Sequence, residues 1–245
     1  MGGSASTDGG TGMLAALGVR FLDAAGADLP DGGGALVDLA SVDLSGLDPR
    51  LADRQIVLAT DVDNPLTGER GAAAVFGPQK GADAAQVARL DAGLGRHAGL
   101  VSDQNGRDDA ARPGAGAAGG VGWAALAVLG ATMRPGVEIV LGWSGFDALL
   151  VEASLVVTGE GSLDSQTLGG KTPAGVAKAA AARGVPVVAV CGRSLLDPDE
   201  LAGTAIERVY ALTELEPDPE ACMRDAAPLL RRVAASVADD WLKEA

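Results

Sequence analysis

A chain of 245 residues, 47% apolar and 21% charged, can bury a core as one large domain or two smaller ones, which excludes wholesale disorder. Its net charge of −14, from 19 basic and 33 acidic residues, repels phosphate backbones, and no basic run offsets it; nucleic acid and anionic membranes are excluded as partners. The single histidine, His97, argues against a Ser-His-Asp triad or a His-rich metal cluster, and two distant cysteines, Cys191 and Cys222, forming no CxxC, argue against a zinc site and point to a reduced, cytoplasmic setting.

From the N-terminus, GGSASTDGGTGMLAALG reads as a glycine-rich turn and a short helix closed by Gly18. Strands are expected around Val19 to Leu22, Ala35 to Leu39 and Gln55 to Ala59, the last ending at Thr60 and Asp61. A loop punctuated by Pro65 and Gly68 precedes a short helix near Ala72 to Phe76. Ala84 to Ala98 carries Val87, Leu90, Leu94 and Ala98 at helical spacing, and the polar run SDQNGRDDAARPG after it reads as an exposed loop. The uncharged stretch from Pro113 to Met133 opens on Gly and Ala, too weakly apolar for a membrane span, and reads as a glycine loop feeding a helix from Trp123 to Leu129. No signal peptide is visible at the N-terminus.

After about Phe146 the pattern changes. Ser154 to Thr158 is a short apolar strand, followed by a glycine-rich loop, a helix with Pro173 in its first turn, Gly184, and a second buried strand from Val185 to Cys191. Strand, helix and strand in that order form a βαβ unit of a parallel sheet. Ile206 to Ala211 is a candidate third strand and Pro219 to Lys243 a closing helix. The fold class expected is α/β, divided into residues 1–149 and 150–245.

Four segments carry residues suited to chemistry. TGEGSLDSQTLGGKTP, Thr158 to Pro173, lies where a parallel strand gives way to a helix, the crevice in which open α/β sheets bind ligands. Glu160 and Asp164 suit Mg²⁺ or a base role, Gln166 can hydrogen-bond a ligand, and Lys171 can meet a phosphate. Its tail resembles a phosphate-binding GxxxxGK[ST] loop, but Ser165 stands where the first glycine belongs and the strand lies too far from the lysine. In TDVDNPLTGERGAAAVFGPQKGA, Asp61 directly follows an apolar strand, Asn64 begins a stiff Asn-Pro turn, and Lys80 sits between Pro78 and Gly81. Asp61 reads equally as a catalytic acid and as a turn residue. The glycine runs at Gly2 and Pro113, the latter containing Gly116 and Gly119, can wrap an anion or serve close helix packing; Ser4, Thr7 and Asp8 add side-chain contacts at the first.

Taken together, GGSASTDGGTGMLAALG, DVDNPLTGERGAAAVFGPQKGA, PGAGAAGGVG with RPGVEIVL, and TGEGSLDSQTLGGKTPAGVAKAA with GVPVVAVCG resemble the type-1 glycerate kinases, in the family's order and across nearly the whole chain. The resemblance implies transfer of the γ-phosphoryl of ATP to a hydroxyl of D-glycerate with Mg²⁺, in a cytoplasmic protein compatible with a homodimer. It implies a Rossmann-like parallel-sheet domain, of which residues 150–245 are the C-terminal part, and a second, inserted α/β domain, most of which is residues 1–149. It implies that Glu160 and Asp164 hold the metal, and that Lys171 neutralises phosphate. Asp61 or Asp8 would hold or deprotonate the acceptor hydroxyl, with Asn64 and Gln166 as orienting groups; Ser4, Thr7, Lys80, Gly116 and Gly119 would line the substrate or nucleotide. The family's N-terminal segment, with an Asp-Ser-Phe-Lys-Gly-like and an Asp-Gly-Gly-Glu-Gly motif, has no counterpart here, so a shortened member is expected, its Rossmann-like sheet incomplete. Two further readings follow: a kinase for another small hydroxy acid, or a non-catalytic truncated remnant.

Overall fold

The computed structural model describes residues 1, 3–164 and 172–242, which form two compact units, Met1–Arg134 and Pro135–Ala245. Among the described residues no helix is long and apolar enough to cross a membrane.

The first unit is built around one long helix. Its elements are α1 (Thr11–Ala16), β1 (Arg20–Leu22), β2 (Ser41–Asp43), β3 (Val57–Ala59), α2 (Ala72–Phe76), α3 (Ala84–Asn105), α4 (Val121–Ala127) and β4 (Thr132–Arg134). β1 and β2 pair antiparallel with Phe21 opposite Val42, and β3 and β4 pair parallel with Leu58 opposite Met133. α3 opens on a capping box: the Asp83 carboxylate accepts from Gln86 N at 2.8 Å and the Gln86 side chain accepts from Asp83 N at 2.9 Å. Its inner face buries Leu94, His97, Ala98 and Val101 against Leu14, Leu36, Leu39, Leu66 and Trp123. Each fully buried leucine there contributes about 1.5–3 kcal/mol.

Two expectations change. Ala35 to Leu39 is not a strand but runs through a 3-10 turn, Gly33–Asp38: Leu36 and Leu39 are both buried, and residues three apart share one side of a 3-10 turn but fall on opposite faces of a strand. The polar run after Ala98 is helical as far as Asn105. Val101 is buried, and Gln104 and Asn105 donate to the carbonyls of Val42 (2.8 Å) and Ala127 (3.0 Å), so the last turn of α3 is tied to its neighbours. The short helix at Ala72–Phe76 and the strand ending at Ala59 stand where the sequence places them.

The second unit is a parallel three-stranded sheet, order β5-β6-β7, from β5 (Val156–Leu163), β6 (Val187–Ser194) and β7 (Arg208–Ala211). Its helices are α5 (Gly136–Trp143), α6 (Phe146–Leu149), α7 (Thr172–Ala181), α8 (Pro198–Ala202), α9 (Pro219–Arg224) and α10 (Ala226–Trp241). β5, α7 and β6 form the expected βαβ unit, so the α/β class holds with parallel pairing in both units. β6 is buried on both faces, as central parallel strands are. Val187, Ala189 and Cys191 join Leu163 and Ala177 in one cluster, and Val188 joins Leu229, Val233 and Val237 of α10 in another. The packing divides the chain after Arg134, earlier than the expected division after residue 149, because Phe146 and Leu150 pack into the Leu163–Ala177 cluster.

The expected closing helix is broken at Asp225, whose φ of −108° and ψ of 27° lie outside helical values. A continuous helix would set the ring of Pro228 against the Arg224 carbonyl; the break places Pro228 in the first turn of α10, where no N–H is required. α10 is then fixed by a polar knot. Tyr210 OH donates to Asp240 Oδ2 at 2.9 Å and accepts from Trp241 Nε1 at 2.9 Å, while Arg208 pairs with the same Asp240 oxygen at 2.9 Å and lies over the Tyr210 ring.

Tyr210→Phe is expected to lower the stability of this unit by about 1–2 kcal/mol, since it removes one hydrogen bond and leaves the indole N–H short of its partner. A urea midpoint equal to that of the parent chain would show that α10 is held by its apolar face alone.

Candidate functional site

The segment from Ser4 to Asp8 runs between two glycines that admit no side chain. A Cβ on Gly33 would lie 1.9 Å from the carbonyl oxygen of Thr7, and one on Gly119, whose φ is +68°, would lie 2.1 Å from that of Ser6. The segment begins beside the end of β3, where the Met1 ammonium donates to the Ala59 carbonyl, and it ends at α1. There both Asp8 oxygens accept backbone N–H groups, from Gly10 at 3.0 Å and Gly12 at 3.1 Å. The carboxylate is thereby oriented by the first turn of α1.

Lys80 reaches this segment from 76 residues away. Its ammonium donates to Ser4 Oγ at 2.9 Å and to the Ser6 carbonyl at 2.6 Å. Partial burial lowers its pKa and the nearby Asp8 carboxylate opposes that shift. Ser6, Thr7, Asp8, Gly33, Lys80 and Leu90 line a cavity of about 290 Å³. A second hollow of about 340 Å³ shares Lys80 and adds Gln86 and Arg89. Of the residues singled out in the sequence, Ser4, Thr7, Asp8, Lys80 and Gly119 therefore come together.

Asn64 and Gly116 form a separate pair. Gly116 N donates to the Asn64 carbonyl at 2.9 Å and the Asn64 side chain donates to the Arg70 carbonyl at 2.9 Å, which braces the loop after β3. Asp61 is exposed in the same loop, next to the buried Thr60. The sequence alone missed Ser6 and Gly33. Both act through the backbone, and the run containing Gly33 looks like ordinary loop punctuation.

In the second unit, Glu160 lies on the last half of β5 and Asp164 follows that strand; both are half-buried. Gln166 and Lys171 lie outside the described residues. Glu160 and Asp164 are oxygen donors of the kind Mg²⁺ takes alongside phosphate and water oxygens. Among the described residues no group of three or more His, Cys, Asp or Glu side chains is arranged to hold a metal on its own. Glu160 also borders a cavity of about 600 Å³ at the carboxyl ends of β5 and β6.

Residues 1–242 match the Glycerate kinase family. A glycerate kinase of Bacillus subtilis (strain 168) is 44% identical over 238 residues, which are 97% of this chain and 62% of that protein. The glycerate 2-kinase of Escherichia coli (strain K12) is 43% identical over 212 residues, 86% of this chain and 56% of its own length. A crystal structure from Salmonella typhimurium LT2, of a protein proposed to be glycerate kinase 2, superposes with a TM-score of 0.75 at 43% identity. It covers 99% of this chain and 64% of that one. The chain thus spans less than two thirds of the length of these relatives.

One buried group near the site gives a pH prediction. His97 packs under Gly9, edge-on to Phe21 and Trp123, with neither ring nitrogen hydrogen-bonded to the protein, and burial lowers its pKa to about 3. The unfolded chain binds this proton near pH 6.5 and the folded chain does not, so stability present above pH 6.5 is lost as pH falls toward 3. At pH 5 the loss from this group is about 2 kcal/mol. His97→Leu is expected to flatten that part of the stability-against-pH curve; an unchanged acid slope would show that His97 takes up its proton in the folded state.

Proposed function

We propose the function from a plain premise: the chain belongs to the glycerate kinase family. Its activity is the ATP-dependent phosphorylation of D-glycerate, in the cytoplasm, where its two buried free thiols persist. The observation that carries this reading is the cavity of the first unit. There a lysine fixed by Ser4 and Ser6 lies close to an oriented carboxylate, Asp8, in a space suited to a small hydroxy acid. Lys80 and Ser4 take the substrate carboxylate, and Thr7 and Asp8 hold its hydroxyls. Gly119 and Gly116 keep the surrounding loops close enough for those contacts.

Phosphoryl transfer needs positioning and charge neutralisation more than covalent help from the protein. The acceptor hydroxyl oxygen forms a bond to the γ-phosphorus, the bond to the ADP oxygen breaks, and the hydroxyl proton passes to a carboxylate. Both Asp8 oxygens already accept N–H groups, which favours Asp8 as the holding group and Asp61 as the base, with Asn64 bracing the loop that carries Asp61. In the second unit Glu160 and Asp164 would hold Mg²⁺, directly or through water, with Gln166 and Lys171 as ligands of the phosphates. Mg²⁺, when bound, neutralises charge on the phosphate oxygens. We also infer that the second unit is the C-terminal part of a Rossmann-like domain and the first most of an inserted one, since the parallel βαβ unit lies wholly in the second.

ADP release that depends on D-glycerate tests the reading in a coupled assay of the 245-residue chain. Asp61→Asn is expected to lower kcat by about 10²–10⁴ and Lys80→Met to raise KM for glycerate with little change in KM for ATP. ADP release indifferent to glycerate, or supported better by another hydroxy acid in a panel, would overturn the substrate assignment.

A further inference from the structure

A cavity in the second unit differs in chemistry from the Lys80 site. It measures about 600 Å³, inside the range of small-molecule sites. Val190, Leu212, Cys222, Met223 and Leu230 give it an apolar lining, while Glu160, Ser162 and Arg193 stand at the last residues of β5 and β6. Arg193 Nε donates to Ser162 Oγ at 3.1 Å, which steadies the guanidinium there. The position is the one that parallel sheets use for ligands, outside the carboxyl ends of the strands.

We propose that this cavity holds the planar base of a purine nucleotide, gripped by apolar and sulfur contacts. The inference rests on the kinase reading for the identity of that nucleotide as ATP. Three observations point to such an occupant. The lining is too apolar for glycerate, whose carboxylate and hydroxyls would lose water without partners. Met223 and Leu230 are 74% and 45% exposed, so a flat ring lying on them removes apolar surface from water. Both thiols are neutral at physiological pH, since burial pushes Cys191 up to about 11 and raises Cys222; they present soft, polarisable sulfur to an aromatic face.

The lining also supplies a test that leaves the fold alone. Gly161 borders the cavity, and a Cβ added there would meet nothing within 4 Å, so Gly161→Val adds volume in a strand that favours β-branched residues. Met223→Glu places a charge on an exposed rim residue and serves if Gly161→Val fails to fold. Calorimetric titration of the 245-residue chain with adenosine, ADP and inorganic tripolyphosphate is expected to show adenosine binding in the parent. Its affinity should fall at least about tenfold in either variant, with tripolyphosphate unaffected. No adenosine binding in the parent, or parental affinity in the folded variants, would overturn the proposal. The kinase reading is judged apart from it. Loss of adenosine binding in a chain that never turns over glycerate leaves the base site standing and the kinase reading fallen. Glycerate-dependent turnover with unchanged KM for ATP in both variants does the reverse.

Discussion

The closest constraint in the first unit is the passage of residues 6–8 between Gly33 and Gly119. Two backbone carbonyls, those of Thr7 and Ser6, occupy the space where any side chain at these glycines would stand. That confinement presents the Ser6 carbonyl and Ser4 hydroxyl to Lys80. It also delivers Asp8 to the head of α1, where two N–H groups fix its carboxylate. An ammonium held by two neutral oxygens is only partly repaid for the water it loses, so its charge is left available to an incoming anion. Close packing at the glycines, desolvation of the lysine and orientation of the aspartate are thus one arrangement.

The second unit solves a different problem with different chemistry. Its central strand β6 is buried on both faces by side chains of Val, Ala and Cys, and α10 is held by an apolar stripe and the Tyr210–Asp240–Trp241 knot. The polar side chains of Glu160, Ser162 and Arg193 stand toward the carboxyl ends of β5 and β6, where glycines at 159, 161 and 192 thin the strands. A polar cavity with a lysine in one unit and an apolar cavity beside a carboxylate in the other are the two surfaces on which the proposed hydroxy-acid and nucleotide sites rest.

How much of this the sequence discloses depends on range. Short patterns identify the strand ending at Ala59, the helix at Ala72–Phe76 and the βαβ unit, because apolar runs and punctuation act locally. The 3-10 turn at Gly33–Asp38 and the last turn of α3 are set by contacts with Thr7, Val42 and Ala127, which no local window contains. The break at Asp225 was legible in Pro228, which a helix admits in its first turn but not in its interior. For the site, Asp8, Ser4 and Lys80 are each visible as residue types, but their meeting across 76 residues of chain is tertiary and only the family resemblance suggests it. Ser6 and Gly33 act through backbone atoms and leave no side-chain signature.

The central claim is that Lys80 is partly desolvated and held against the Ser4–Ser6 segment beside Asp8. NMR titration of a lysine-labelled sample measures this directly through the methylene next to the Lys80 ammonium, assigned by comparison with Lys80→Met. The arrangement predicts a pKa below the ordinary lysine value of 10.5 that rises when D-glycerate is added, as an anion settles beside the charge. A Lys80 that titrates at 10.5 or above, and does not respond to glycerate, would contradict it.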